Sequence, residues 1–238
     1  RWKNRKKIGH HSGHTISGDI FQVTFTGLDK DMEPITTTHR YYNPVNLSRS
    51  VFRFKEPSKQ EIEKYGLYHY TVSNGNYKSA VLGYNSSREL DILNAKLGSS
   101  KQIRLWILVF QNQPSEAGFL QKSYWNGGNK NELVICVGLR DSVVDWCNVF
   151  SWCENDQLII DCRDKIIKQK GQKLDLTSYA KWLEPKINKE WHRKEFKDFK
   201  YLKTQTPTWL IITTFCLTFF GALIIPFAIT YTEYFDVS

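Results

Sequence analysis

The sequence predicts an α/β domain, an α+β arrangement around a βαβ core, followed by a C-terminal transmembrane helix. Three observations predict it. Two apolar runs, "QIRLWILVFQ" (102–111) and "NELVICVGL" (131–139), have strand length and flank a segment with helix signals, "PSEAGFLQKSYWNGG" (114–128). A strand–helix–strand unit with so short a crossover makes the two strands parallel. Hydrophobic residues fill 41% of 238 positions, enough for a packed core. No charged residue occurs from Thr204 to Thr232.

The elements follow in order. In "DIFQVTFTGL" (19–28), Phe21, Val23 and Phe25 alternate with Gln22, Thr24 and Thr26, the pattern of a half-buried strand. "DKDME" interrupts it and "PITTTHRYY" resumes it, so 19–42 reads as a hairpin. "VFRFKEP" (51–57) alternates again, and "PSKQEIEKYG" (57–66) opens on Pro-Ser and closes on Gly, as a compact helix does. "LYHYTVSNGNYKSAVLGY" (67–84) reads as two strands about Ser73-Asn74-Gly75. "SSRELDILNAKL" (86–97) has Ser caps, early acids and Leu90, Leu93 and Leu97 at helical spacing, with Gly98 as its stop. After the βαβ unit, "VDWCNVFSW" (144–152) is a strand. "QLIIDCR" (157–163) is a strand or the start of a helix running to Lys170, and 174–191 is helical with an interruption near Pro185.

The uncharged stretch contains "WLIITTFCLTFFGALIIPFAIT" (209–230). A bilayer core of ~30 Å needs about 20 helical residues. Trp209 at one end and Tyr231 at the other are the expected interfacial rings. Thr213, Thr214, Thr218 and Thr230 can return their hydroxyls to the helix, and Pro226 is expected to kink or end it. Before the span, 189–203 holds six basic residues and three acids; after it stand Glu233 and Asp236. The cations Arg193, Lys194, Lys197, Lys200 and Lys203 therefore place the bulk domain in the cytoplasm by the positive-inside rule, the chain crossing once. Ile187, Trp191, Phe199 and Leu202 fall on one side of a helix through this flank. It is read either as a helix on anionic headgroups, each cation worth ~1 kcal/mol there, or as a connector packed on its own domain. "RWKNRKK" (1–7) looks like the flank of another span, so a second, upstream membrane helix is the alternative topology. The expected organisation is a basic N-terminal flank (1–18), a mainly β region (19–84), an α/β core (85–172), a basic aromatic helical flank (173–203), the membrane helix (207–231) and a short tail (232–238).

Net charge is +9, but the N-terminal flank and the 189–203 flank carry most of it, leaving 8–188 at +3. That argues against nucleic acid as a partner.

A helix ending "LNAKLG", an apolar strand "IRLWILVF", and a helix closing "YWNGGNKNELVICVG" together resemble the TPM-type domain over about residues 86–170. In that family a strand leads to a helix ending in a Trp-Gly-like turn, then Gly or Asn and an apolar strand. The resemblance implies a small α/β sandwich. It also implies a C-terminal membrane tether and either phosphatase activity or a role in assembling membrane complexes. No metal-binding acid is carried over from the family.

Candidate chemistry is sparse. Asp141, Asp145, Asp161 and Asp164 cluster around predicted strand ends, where carboxylates can hold a divalent metal, or else serve as turns, caps and ion pairs with Arg140 and Arg163. His10, His11 and His14 in "GHHSGHT" have Zn- or Ni-binding potential or are solvated linker residues. Trp125, Trp146 and Trp152 form either core or a contact surface. Of five Cys, no pair has metal-ligand spacing. Free thiols are expected, with Cys136–Cys162 or Cys147–Cys153 disulfides as the alternative in an oxidising space; only there do the sequons at Asn46 and Asn85 matter. No phosphate loop, dinucleotide fingerprint, G-x-S-x-G or H-E-x-x-H occurs. The expected function is a membrane-anchored interaction or scaffold protein that assembles with or regulates a membrane complex, with no catalytic residue and no cofactor. The alternatives are a membrane-tethered phosphohydrolase using a divalent metal, and an anionic-lipid-binding module. Expected partners are membrane lipids and a protein of a membrane complex.

Overall fold

The computed structural model describes residues 20–42, 54–70, 78–193 and 208–236. Its elements are β1 (Ile20–Leu28), β2 (Pro34–Tyr42), α1 (Lys59–Tyr65), β3 (Val81–Leu82), α2 (Arg88–Ser100), β4 (Arg104–Gln111), α3 (Glu116–Tyr124), β5 (Glu132–Arg140), β6 (Val143–Ser151), α4 (Asp156–Ile167), α5 (Leu176–Glu190) and α6 (Thr208–Asp236). The chain divides into two units, 1–202 and 203–238.

In the first unit a four-stranded sheet runs β3-β4-β5-β6. β3, β4 and β5 are parallel, as the short crossover predicts, and β6 turns back antiparallel to β5. Strands buried on both faces read as unbroken apolar runs, which is why "RLWILVF" shows no alternation. Its odd residues Leu105, Ile107 and Val109 pack with Leu90 and Leu97 of α2, Leu158 and Cys162 of α4, and Tyr179 and Leu183 of α5. Its even residues Trp106, Leu108 and Phe110 pack with Ala117 and Tyr124 of α3, Trp125 and Leu67. The crossovers β3-α2-β4 and β4-α3-β5 step the same way but cover opposite faces. They therefore have opposite hands, so one is of the left-handed kind that about 2% of parallel connections adopt.

α2 clamps the sheet with two buried polar side chains. Asp91 Oδ1 accepts the Ala80 N–H at 2.7 Å, and the Asn94 amide takes the Leu105 N–H at 2.7 Å and donates to its carbonyl at 3.2 Å. Outside α2 lies the β1–β2 hairpin, antiparallel from Ile20↔Tyr42 to Leu28↔Pro34. Gly98, expected as the helix stop, instead lies inside α2. Its role is contact: a Cβ there would sit 2.5 Å from the Cβ of Phe25 on β1. A helical glycine with open space gains up to ~1 kcal/mol on replacement by Ala. Here the sign reverses. Gly98→Ala is expected to destabilise the protein by about 1–3 kcal/mol, read as a lower urea midpoint; a raised midpoint would show that the hairpin does not seat there.

Other expectations need correction. Val81–Leu82 does not pair with 67–70 as a hairpin; it pairs in parallel with Ile107–Leu108, and the Ser73–Gly75 turn lies outside the described residues. Residues 54–57 are not strand, and Val51–Arg53 lie outside the described residues. The described part of 19–84 holds the β1–β2 hairpin, α1 and the two-residue β3. α1 matches its signature, with a full Ser58/Glu61 capping box and Gly66 in the left-handed region at φ 60°. The helix read over 114–128 stops at Tyr124. Residues 157–163 lie in the helix α4, not in a strand. α5 runs through Pro185, which is exposed, so the carbonyl that loses its partner is open to water. α5 does not continue as a helix through 187–202: it ends at Glu190 and Trp191 is extended, while 194–202, with Phe199 and Leu202, lie outside the described residues. Ile187 and Trp191 are core residues, 0% and 4% exposed, not a membrane-facing side.

Candidate functional site

α6 is the most distinctive feature of the second unit. Thr208–Pro226 has a mean hydropathy of 2.1 with none of it buried. At 1.5 Å per residue, the 29-residue helix is about 43 Å long, against ~30 Å of hydrocarbon. Among the described residues one helix is long and apolar enough to cross a membrane. Its polar atoms are dealt with locally. Thr213 Oγ1 donates to the Trp209 carbonyl at 2.8 Å, Thr214 to Leu210 at 2.8 Å and Thr218 to Thr214 at 2.9 Å. Pro226 neither ends nor splits the helix, which continues to Asp236 and includes Tyr231. Trp209, at its start, is 66% exposed. Of the flanking cations, Arg193 sits opposite Cys153 in an antiparallel bridge; Lys194, Lys197, Lys200 and Lys203 lie outside the described residues, as do His10, His11 and His14.

The four candidate carboxylates divide between two places. Asp141 opens the two-residue turn between β5 and β6, at φ 51° with Ser142 at φ 68°, and its N–H donates to Asn112 Oδ1 at 3.1 Å. These are the signs of a mirror-image hairpin turn, built here from Asp-Ser. Asp145, close by on β6, is held by Arg140 at 2.9 Å and Lys170 at 3.4 Å. Asp161 and Asp164 lie a turn apart on α4. Asp161 takes Lys186 at 2.6 Å and Gln157 Nε2 at 2.8 Å, and Asp164 takes Arg163 at 2.9 Å. The Lys186 bond holds the Asp161 carboxyl below its ordinary range and raises the Lys186 ammonium in return. Asp145 and Asp161 thus tie elements together through Lys170 and Lys186, while Asp164 pairs with its neighbour Arg163 within α4. Among the described residues no group of three or more His, Cys, Asp or Glu is placed to hold a metal ion.

A shallow open cleft of about 400 Å³ lies where α2 and α5 begin, lined by Tyr84, Asn85, Arg88, Glu89, Asp175 and Thr177 among others. The chain's own acids already occupy these helix N-termini. Asp175 Oδ1 accepts the Ser178 N–H at 2.9 Å, and Glu89 Oε2 accepts Thr177 Oγ1 at 3.3 Å.

The tryptophans belong mainly to the core. Trp125 and Trp146 are buried and Trp152 is half-buried; their indole N–H groups reach the carbonyls of Tyr68 at 2.7 Å, Gln113 at 2.8 Å and Gly128 at 2.9 Å. All five cysteines are free. Cys136 faces the α3 layer and Cys162 the α4–α5 layer, so the sheet separates them. Cys147 and Cys153 stand six residues apart along an extended chain, roughly 20 Å, where a disulfide needs Cα atoms within about 7 Å. Burial pushes the Cys162 thiol up to about 12 and the Cys136 thiol higher still, which leaves both unreactive.

Sequence reasoning missed the most elaborate polar arrangement. Glu132, 3% exposed at the start of β5, accepts Tyr70 OH at 2.5 Å and Trp106 Nε1 at 3.3 Å on one oxygen, and the Asn129 N–H at 2.9 Å on the other. Arg104, its register partner on β4, lies over the Trp106 ring at 4.6 Å and donates to Thr26 at 3.2 Å. Burial first, then the Glu132 charge, drives the Tyr70 phenol well above its ordinary value. Gln121 grips the backbone of Tyr68 from both sides, at 2.8 Å and 3.1 Å. Together these pin 67–70 across the α3 face of the sheet. An acid opening an apolar strand is the one local signal, and it names no partner.

No protein-family model, curated protein or solved structure matches this chain.

Proposed function

We propose that the chain is a single-pass membrane protein whose α/β body lies in the cytoplasm and serves as an interaction or assembly module of a membrane complex. One observation carries the reading: α6 is long enough to span, unburied over Thr208–Pro226 and free of charge from Thr208 to Thr232. A helix apolar all round needs lipid or protein about it. The basic residues before it and the acids after it support the orientation. The assembly role draws on the TPM-type resemblance over 86–170, the stretch that folds as α2 to α4, and on Phe119, 63% exposed on α3. No observation favours the phosphohydrolase reading, since three of its four carboxylates are bound to lysine or arginine.

Orientation is tested by glycan mapping in microsomes. The sequon at Asn85 is exposed on the body and is expected to stay unmodified, while a sequon appended beyond Ser238 acquires a glycan. The reverse pattern would invert the topology. The assembly role is tested by purifying the full chain in mild detergent: a stoichiometric membrane partner is expected, and a solitary protein would sink it.

A further inference from the structure

We propose that the turn joining α4 to α5 docks on the anionic headgroups of the leaflet nearest the body, an inference that rests on the membrane reading above. Segment 163–173, "RDKIIKQKGQK", carries Arg163, Lys165, Lys168, Lys170 and Lys173 against Asp164 alone. Arg163 is taken by Asp164 at 2.9 Å, and Lys165 lies over the Trp182 ring at 5.9 Å. Lys168, Lys170 and Lys173 are exposed. The acids that border them are already engaged. Asp145 meets Lys170 at 3.4 Å but also Arg140 at 2.9 Å, so one carboxylate serves two cations. Asp175 caps α5 through the Ser178 N–H. Cations favour the C-terminal end of a helix, which accounts for Lys165 and Lys168. Lys170 and Lys173 lie past that end, so the helix does not account for them, and Lys170 has only a share of Asp145.

The turn is fixed. The Gly171 N–H donates to the Val144 carbonyl at 2.8 Å, the Val144 N–H to the Gln172 carbonyl at 2.9 Å, and the Asp175 N–H to Gln169 Oε1 at 2.7 Å, with Leu174 and Leu176 buried beneath. Cations on a pinned backbone lose little further freedom on docking. The tether supplies proximity. Residues 194–207 span at most about 50 Å even fully extended, so the body stays near the bilayer. The cytoplasmic leaflet, on the side the positive-inside rule gives the body, is the anionic one. Each cation is worth about fivefold in partition there, so these three together are worth roughly 100-fold.

The test uses the full chain reconstituted in nanodiscs of phosphatidylcholine alone or mixed with phosphatidylserine. Acetylation rates of single lysines are read by mass spectrometry. Lys168, Lys170 and Lys173 are expected to react at least about fivefold more slowly in the anionic discs. Lys59 and Lys64 on α1 should not change, and molar salt should abolish the protection. Lys165, on the last turn of α4 beside them, should share the protection in the parent and lose it in K168Q/K170Q/K173Q. Equal rates in both discs would overturn the inference, and so would protection by an RNA oligomer or an acidic peptide in detergent without any from anionic discs. A chain that enters neither disc would bring down the membrane reading itself, and this inference with it.

Discussion

Gly138→Ala is expected to cost about 3–5 kcal/mol, among the largest single-residue effects in the body. Gly138 is central in β5 and pairs with Trp146 on β6 at the register shift between Gly138 and Leu139. The Trp146 indole lies flat over this position, so an added Cβ would overlap its Nε1, Cε2 and Cδ1 atoms. The indole cannot simply swing away. Its N–H is bonded to the Gln113 carbonyl at 2.8 Å, its ring packs on Phe110 at 5.7 Å between centroids, and Gly118 of α3 closes over its far edge. The alanine variant must therefore expel a buried tryptophan or bend the central ladder. Urea denaturation should show a strongly lowered midpoint with an unchanged slope. Gly171→Ala serves as the control: nothing lies within 4 Å of its Cβ, and only its positive φ of 76° is penalised, by about 1 kcal/mol. Pairing Gly138→Ala with Trp146→Phe should cost less than the two changes summed, because the smaller ring vacates the space. A Gly138→Ala midpoint within error of the parent would show that the indole does not lie there.

The second large effect concerns the span. Ile212→Arg with Leu217→Arg places two cations on an exposed apolar helix. At ~2.5–3.5 kcal/mol for each Arg near the helix centre, the pair costs about 5–7 kcal/mol, sufficient to abolish insertion. The parent protein should resist alkaline carbonate extraction and float with membranes; the double variant should be released. Thr213→Leu should change nothing, because that hydroxyl is already bonded to Trp209 within the helix. Undiminished membrane association of the double variant would show that α6 is not the anchor.

Local signals account for much of the body. Capping chemistry marked α1 and the start of α2, and alternation in 19–28 marked β1. The run 157–163 does not by itself separate helix from strand, because a short apolar run fits both periods. The errors cluster where a distant partner decides. Gly98 looked like a stop, since its contact with Phe25 lies more than seventy residues away in sequence. Val81–Leu82 looked like a hairpin arm because nothing local announces Ile107–Leu108 as its neighbour. Ile187 and Trp191 have the spacing of an amphipathic face, and spacing does not say whether a protein core or a bilayer receives it. Ion pairs of the candidate carboxylates with Arg140 and Arg163 were legible, because those arginines are near in sequence; the pairs with Lys170 and Lys186 were not, because those lysines come from other elements.

By itself the sequence determined the apolar segment of α6, the charge asymmetry about it, and the strand–helix–strand unit from 104 to 140. Each depends on length, periodicity or composition within a few tens of residues. Only the tertiary structure decided which face each helix covers, and hence the opposite hands of the two crossovers. It also decided the burial of Glu132 with Tyr70 and Trp106, and the pairing of Asp145 with Lys170 and of Asp161 with Lys186. Those outcomes depend on side chains far apart in sequence meeting in one place, where burial leaves every polar atom in need of a partner.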